Sequence, residues 1–156
     1  MKNKLVKKTW VLAILVSILP STALAEDALD WATGSWGVDV KNIPEGLDAK
    51  AMDEFRGCRT SPVVITADRD TLRYRAVHTG EGDFVAKGPI LKVRKTSISI
   101  QYDDEQRLMK NGEPQIWHMA FVNRDKFYWV YGPDIYRGKR EGYVAVARIR
   151  CQFSGV

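Results

Sequence analysis

Beyond residue 60 the chain alternates apolar and polar side chains at a period of two, the period of half-buried β-strands. "PVVITAD" (62–68) is β-branched and closes in the turn Asp68-Arg69-Asp70. "LRYRAVH" (72–78) sets Leu72, Tyr74, Ala76 and His78 against Arg73, Arg75 and Val77. "HTGEGD" (78–83) reads as a Gly-rich turn, and the run after it as a strand broken at Gly88-Pro89. "SISIQY" then sets Ile98, Ile100 and Tyr102 against Ser97, Ser99 and Gln101, and Asn111-Gly112 predicts a type I′ hairpin turn. "QIWHMAFVN" and "KFYWVYG", joined by residues 123–126, are apolar on both faces and predict strands covered on both sides, with the inward face left open. "GYVAVARIRC" (142–151) is the last strand, with Tyr143, Ala145, Ala147, Ile149 and Cys151 opposite Val144, Val146, Arg148 and Arg150.

Upstream of these, "ATGSWGVDV" (32–40) is the first strand, and one helix follows it. Leu47, Ala51 and Phe55 fall at i, i+4 and i+8, a narrow apolar stripe with Asp48 as N-cap and Gly57 as stop. About eight or nine short strands with tight turns predict a mainly β fold, an antiparallel meander closed as a barrel of about eight strands. Closure removes both sheet edges, and a β-sandwich is the alternative.

Composition changes the picture at the N-terminus. Residues 1–25 start with Lys2, Lys4, Lys7 and Lys8, pass through an apolar run from Trp10 to Leu19, and end in Ala23-Leu24-Ala25. That order is a secretory signal peptide, and the apolar run is too short for a membrane span, which needs roughly 20 residues. Residues 26–156 are then one exported domain, periplasmic or secreted, with no stable membrane anchor after cleavage. Cleavage also removes four of the 24 Lys+Arg and none of the 19 Asp+Glu, leaving a net charge of +1. Nucleic acid is not expected as a partner, because displacing counterions from phosphates needs clustered excess charge. Cys58 and Cys151, 93 positions apart, enter an oxidising compartment and predict a disulfide.

Gly34-Ser35-Trp36 on the first strand, a β-meander after it and Arg148 or Arg150 on the last strand together resemble the lipocalin and calycin arrangement. The resemblance implies a lipocalin-like barrel in which Trp36 packs at the closed end against the Arg of the final strand. A cysteine bridge from the last strand back to the early chain is also seen in such barrels, and the helix between the first two strands is similar to the fatty-acid-binding branch. The middle Thr-Asp-Tyr motif of the family is missing, with "NRDKFY" the nearest stretch.

No catalytic or cofactor motif stands out. "TGSWG" has Thr33 where a nucleophile elbow needs Gly, and the only histidines, His78 and His118, lack a partner at metal-ligand spacing and read as surface or wall residues. Asp103-Asp104-Glu105 reads as a solvated turn. Tyr74, Trp117, Tyr128, Trp129 and Tyr131 are candidates to line an apolar cavity. Arg73, Arg75, Arg137, Lys139 and Arg140 are candidates for a basic rim that clasps a carboxylate or phosphate. The resulting expectation is a non-enzymatic binding protein for a small hydrophobic or amphipathic molecule, with no cofactor. The alternative is an envelope interaction module or hydrolase inhibitor with a solid barrel that uses loops 79–83, 103–107 and 132–141. Cavity volume separates the two readings. Oligomeric state is not written in the sequence.

Overall fold

Strands β1 (Gly34–Val38), β2 (Val63–Asp68), β3 (Arg73–His78), β4 (Phe84–Arg94), β5 (Ser97–Ile100), β6 (Trp117–Asn123) and β7 (Lys126–Tyr131) pair antiparallel, each with the next, in the computed structural model. The eighth position is filled by two consecutive pieces, β8 (Gly142–Tyr143) and β9 (Arg148–Arg150). β8 pairs with β7 at Val130 and Tyr131, and β9 with β7 at Lys126 and Phe127. β9 also pairs with β1, Trp36 opposite Arg150 and Val38 opposite Arg148. The meander therefore closes into an eight-strand antiparallel barrel, and the sandwich alternative falls away. The structure describes residues 27–80, 84–133, 142–143 and 146–152. The signal peptide expected at residues 1–25 lies outside them.

The faces left open in β6 and β7 are settled by closure. Trp117, Met119 and Phe121 stand opposite Tyr131, Trp129 and Phe127 on the inner face. His118 and Val130 face out and are still buried. His118 Nε2 donates to the Gly132 carbonyl at 2.7 Å, which leaves Nδ1 to accept from Ser99 Oγ at 2.8 Å. The second apolar face of these strands is thus an outer layer that includes a hydrogen-bonded histidine.

One end of the barrel is plugged by a helix that the periodicity does not announce. α1 (Ala28–Ala32) precedes β1, held by a capping box in which Asp27 and Asp30 satisfy each other's backbone. Arg69 reaches from the β2–β3 turn to both, at 2.9 and 2.8 Å. Five residues are too few for a periodic stripe, so burial of Ala28, Leu29 and Ala32 supports the helix. Trp36 Nε1 donates to the Ala32 carbonyl at 2.9 Å, and the Trp36 ring meets Phe127 at 4.8 Å and Phe121 at 6.0 Å between centroids.

α2 (Ala49–Arg56) forms between Asp48 and Gly57 as the capping residues predict, with the Asp48 carboxylate accepting from the Lys50 and Ala51 amides. Its stripe behaves differently. Leu47 and Phe55 are 45% and 46% exposed, and the buried residue of the helix is Arg56. α2 lies at the mouth of a hollow instead of on a packed core, so its apolar residues have no solid surface to cover.

Two local expectations are also corrected. β4 is continuous through Gly88-Pro89, because Ile90 N donates to the Leu72 carbonyl and Pro89 O accepts from Gln101 N on either side of the missing proline N–H. At Asn111-Gly112 Gly112 has positive φ (81°) and Asn111 does not, so the turn is not type I′; it closes through Met109 N to Glu113 O at 2.8 Å.

The disulfide joins Cys58 to Cys151 with Cα atoms 5.3 Å apart. It ties the segment after α2 to the end of β9 across the outside of β1, where a Cβ at Gly37 would stand 2.6 Å from the Cys58 amide nitrogen. Among the described residues no helix is long and apolar enough to cross a membrane.

Candidate functional site

Opposite the α1 plug the barrel is hollow. A cavity of about 690 Å³ opens beside α2, and a smaller one of about 70 Å³ continues beneath it. The first falls in the 300–1,000 Å³ range of small-molecule sites. Its wall is aromatic: Tyr102 and Trp117 lie 6.3 Å apart between ring centroids, Trp117 and Trp129 6.1 Å, and Phe55 of α2 overhangs them. Tyr74 sits lower, against Trp129 at 6.3 Å, and lines the smaller cavity. The inward positions of β3, β6 and β7 supply these rings by simple alternation, while Tyr102 follows β5 on the same side as Ile98 and Ile100.

The rim is built by the turn after β5. Arg107 grips Glu105 at 2.5 and 2.8 Å, Trp117 Nε1 donates to the same carboxylate at 2.8 Å, and the Arg107 guanidinium stands 4.8 Å over the Trp117 ring. Burial works to raise the Glu105 carboxyl, but the hydrogen bonds from Arg107 and Trp117 outweigh it and hold it below its ordinary value. Trp117 is thereby fixed in orientation. The expected solvated turn at 103–105 is only partly so, since the Glu105 side chain is 2% exposed.

The floor is cationic. Arg56, His78 and Arg148 line both cavities and so form the boundary between them, together with Tyr102 and Trp129. Burial, then the charge of Arg56, pushes Arg148 down to about 10. Burial, then Arg56 and Arg148, pushes His78 down to about 4, so it is neutral at pH 7. Burial raises the Tyr74 and Tyr102 phenols well above their usual range, and both remain O–H donors. Arg56 Nη1 donates to the Phe55 carbonyl at 2.8 Å and the guanidinium lies 3.9 Å from the Phe55 ring centroid. Among the described residues nothing accepts a hydrogen bond from Arg148.

The protein thus offers an apolar cleft with a positive base. Comparison with protein-family models, with curated proteins and with solved structures finds no match. The reading of the site therefore rests on its geometry.

The structure sorts the residues singled out by sequence. Tyr74, Trp117 and Trp129 line the hollow. Tyr131 faces inward but packs behind Trp117 at 5.6 Å, and Tyr128 stands on the outer face opposite Ala120. The rim candidates Arg73 and Arg75 are exposed on the outer face of β3, with Arg73 paired to Asp103 at 2.6 Å. An arginine on the face opposite Tyr74 and His78 cannot reach into the barrel. Arg137, Lys139 and Arg140 lie outside the described residues. Of the two last-strand arginines, Arg150 is the one over Trp36, its guanidinium carbon 4.5 Å from the ring centroid. Arg148 belongs to the cavity.

Sequence reasoning missed Arg56, Phe55 and Tyr102 as site residues. Arg56 carried the faintest signal, since a charge in the last turn of a helix normally reads as a partner of the helix dipole. Tyr102 was legible as the inward end of the "SISIQY" alternation.

Proposed function

We propose that this protein is an exported binding protein, periplasmic or secreted, which holds one small hydrophobic or amphipathic molecule inside its barrel without chemically altering it. The observation that carries this reading is the cavity of about 690 Å³ with Trp117, Trp129 and Tyr102 on its wall. A solid interior would have favoured an interaction module or hydrolase inhibitor, and a hollow of this size argues against that. The disulfide fits an oxidising compartment, and residues 1–25 supply an export signal. A lipocalin-like ancestry accords with Trp36 under Arg150 at the closed end and with a helix beside the open one. Binding is favoured over turnover because the rim carboxylate Glu105 is already committed to Arg107 and Trp117.

Two measurements test the proposal. Native mass spectrometry of protein purified from its own exported fraction is expected to show an added small-molecule mass. The emptied protein is expected to bind an uncharged naphthylamine probe with one-to-one saturation, quenching tryptophan emission. Trp129→Ala should weaken that binding by about tenfold or more, given the contribution of a buried aromatic contact. No added mass together with no saturable probe binding would overturn the reading.

A further inference from the structure

The cavity floor carries more positive charge than an apolar ligand would need. Arg56, His78 and Arg148 converge where the larger cavity meets the smaller, among aromatic and aliphatic groups, while the other polar lining residues, Asp104, Glu105, Gln106 and Arg107, belong to the larger cavity alone. A cation taken out of water is costly unless something of opposite charge meets it. The rim arginine is matched, since Arg107 holds Glu105 in a two-point grip. Arg148 is not matched by any described residue, yet it points into the hollow from β9 with Arg56 near enough to lower its proton affinity. The remaining acidic groups of the lining, Asp104 and Glu105, sit at the mouth. With Glu105 neutralised by Arg107, the unmatched buried charge of the lining lies at the base and is positive, and low-dielectric walls focus its field.

We propose that the molecule held in the barrel is an organic acid, an apolar tail ending in a carboxylate, whose head group is received by Arg148 and Arg56 at the cavity floor. This rests on the reading of the cavity as a binding site and names the class of ligand. Guanidinium forks bind carboxylates in a bidentate, charge-assisted manner. The Tyr74 and Tyr102 hydroxyls stand at the same level of the barrel and hydrogen-bond each other, and burial keeps both protonated, so the pair offers one further donor. The smaller cavity of about 70 Å³ has room for about two waters at roughly 30 Å³ each, so a compact head group fits there and a bulky one does not. The tail then runs outward along Trp129 and Trp117 and passes under Phe55.

The experiment compares dodecanoate with dodecan-1-ol, below micellar concentration at pH 7.5, by displacement of the uncharged naphthylamine probe from the full mature protein. The acid is expected to bind about 10- to 100-fold more tightly, the range given by a hydrogen bond to a charged group. Arg148→Met is expected to remove that preference, bringing the acid-to-alcohol affinity ratio to about one, and Arg148→Lys to keep part of it. Equal binding of acid and alcohol by the native protein would overturn this inference and leave the carrier reading standing. Binding of neither would overturn both. If Arg148→Met does not fold, as judged by near-UV circular dichroism, the acid-to-alcohol ratio of the native protein still decides the matter.

Discussion

Arg148 and Arg150 stand two residues apart on β9 and face the same side of the strand, yet their surroundings differ completely. The Arg150 guanidinium makes four hydrogen bonds, donating to Asp125 Oδ1 at 3.0 Å and to the carbonyls of Thr33, Trp31 and Arg124 at 3.0, 2.6 and 2.9 Å, while lying over Trp36. A Cβ at Gly34, where φ is +147°, would collide with its Nη1, so even the neighbouring strand is shaped around it. Arg148 has no such acceptors among the described residues and opens onto the cavity instead. Two residue steps along the strand, about 6.6 Å, take the barrel from a sealed end to a receptive one. A satisfied cation holds a fold together, and an unsatisfied one is available to a ligand.

Several measurements can break or sharpen this contrast. The largest effect should strike both arginines at once: reducing the Cys58–Cys151 bond, which spans 93 positions and anchors the end of β9, is expected to cost about 4 to 5 kcal/mol in denaturant unfolding. Trp36→Ala, at a fully buried position of the closed end, is expected to cost about 3 to 5 kcal/mol by the same measurement. Arg150→Met should cost about 1 to 3 kcal/mol because it leaves the part-buried Trp31 carbonyl without its donor and removes the cation over Trp36. Arg148→Met should leave stability within about 1 kcal/mol of the native value or raise it, since removing a buried cation relieves desolvation and repulsion from Arg56. Equal losses for the two arginine variants would erase the distinction.

Acid supplies a finer probe. His78 ordinarily titrates at 6.5 and is pushed down to about 4 by burial and by Arg56 and Arg148, with the Tyr102 phenol also facing it across the floor. The unfolded chain therefore binds more protons than the folded one between those values, and stability falls as pH drops from 6.5 toward 4. An anion seated on the arginines should move the His78 titration back upward, so binding takes up protons in that window, which an NMR titration of the imidazole with and without dodecanoate would register. No movement of the His78 signal would place the head group elsewhere. The smallest expected effect is that of Tyr128→Ala on ligand affinity, within about twofold, because the side chain stands on the outer face of β7 and surface positions away from a site contribute little.

Much of the architecture was legible in one dimension. The strands of "PVVITAD", "LRYRAVH" and "SISIQY" follow from period two, α2 from Asp48 and Gly57, and the disulfide from two cysteines behind a stretch that reads as an export signal. These depend on backbone periodicity, local hydrogen bonding and compartment, which are properties of short stretches. α1 escaped because five residues carry no period, and Leu47 and Phe55 misled because an apolar stripe states what a helix offers, not what lies opposite it.

The candidate site was less legible for the same reason. Alternation put Arg148 and Arg150 on one face but could not say which would meet Trp36 and which would meet a hollow. That depends on closure of β9 onto β1 and on the end of the barrel that α1 plugs, both long-range pairings between segments more than 100 positions apart. Likewise β6 and β7, apolar on both sides, acquired an inside only when the sheet curled round and met itself. Local pattern determined that this chain makes a disulfide-tied β-barrel; where its empty space lies, and which charges border it, belong to the assembled cylinder alone.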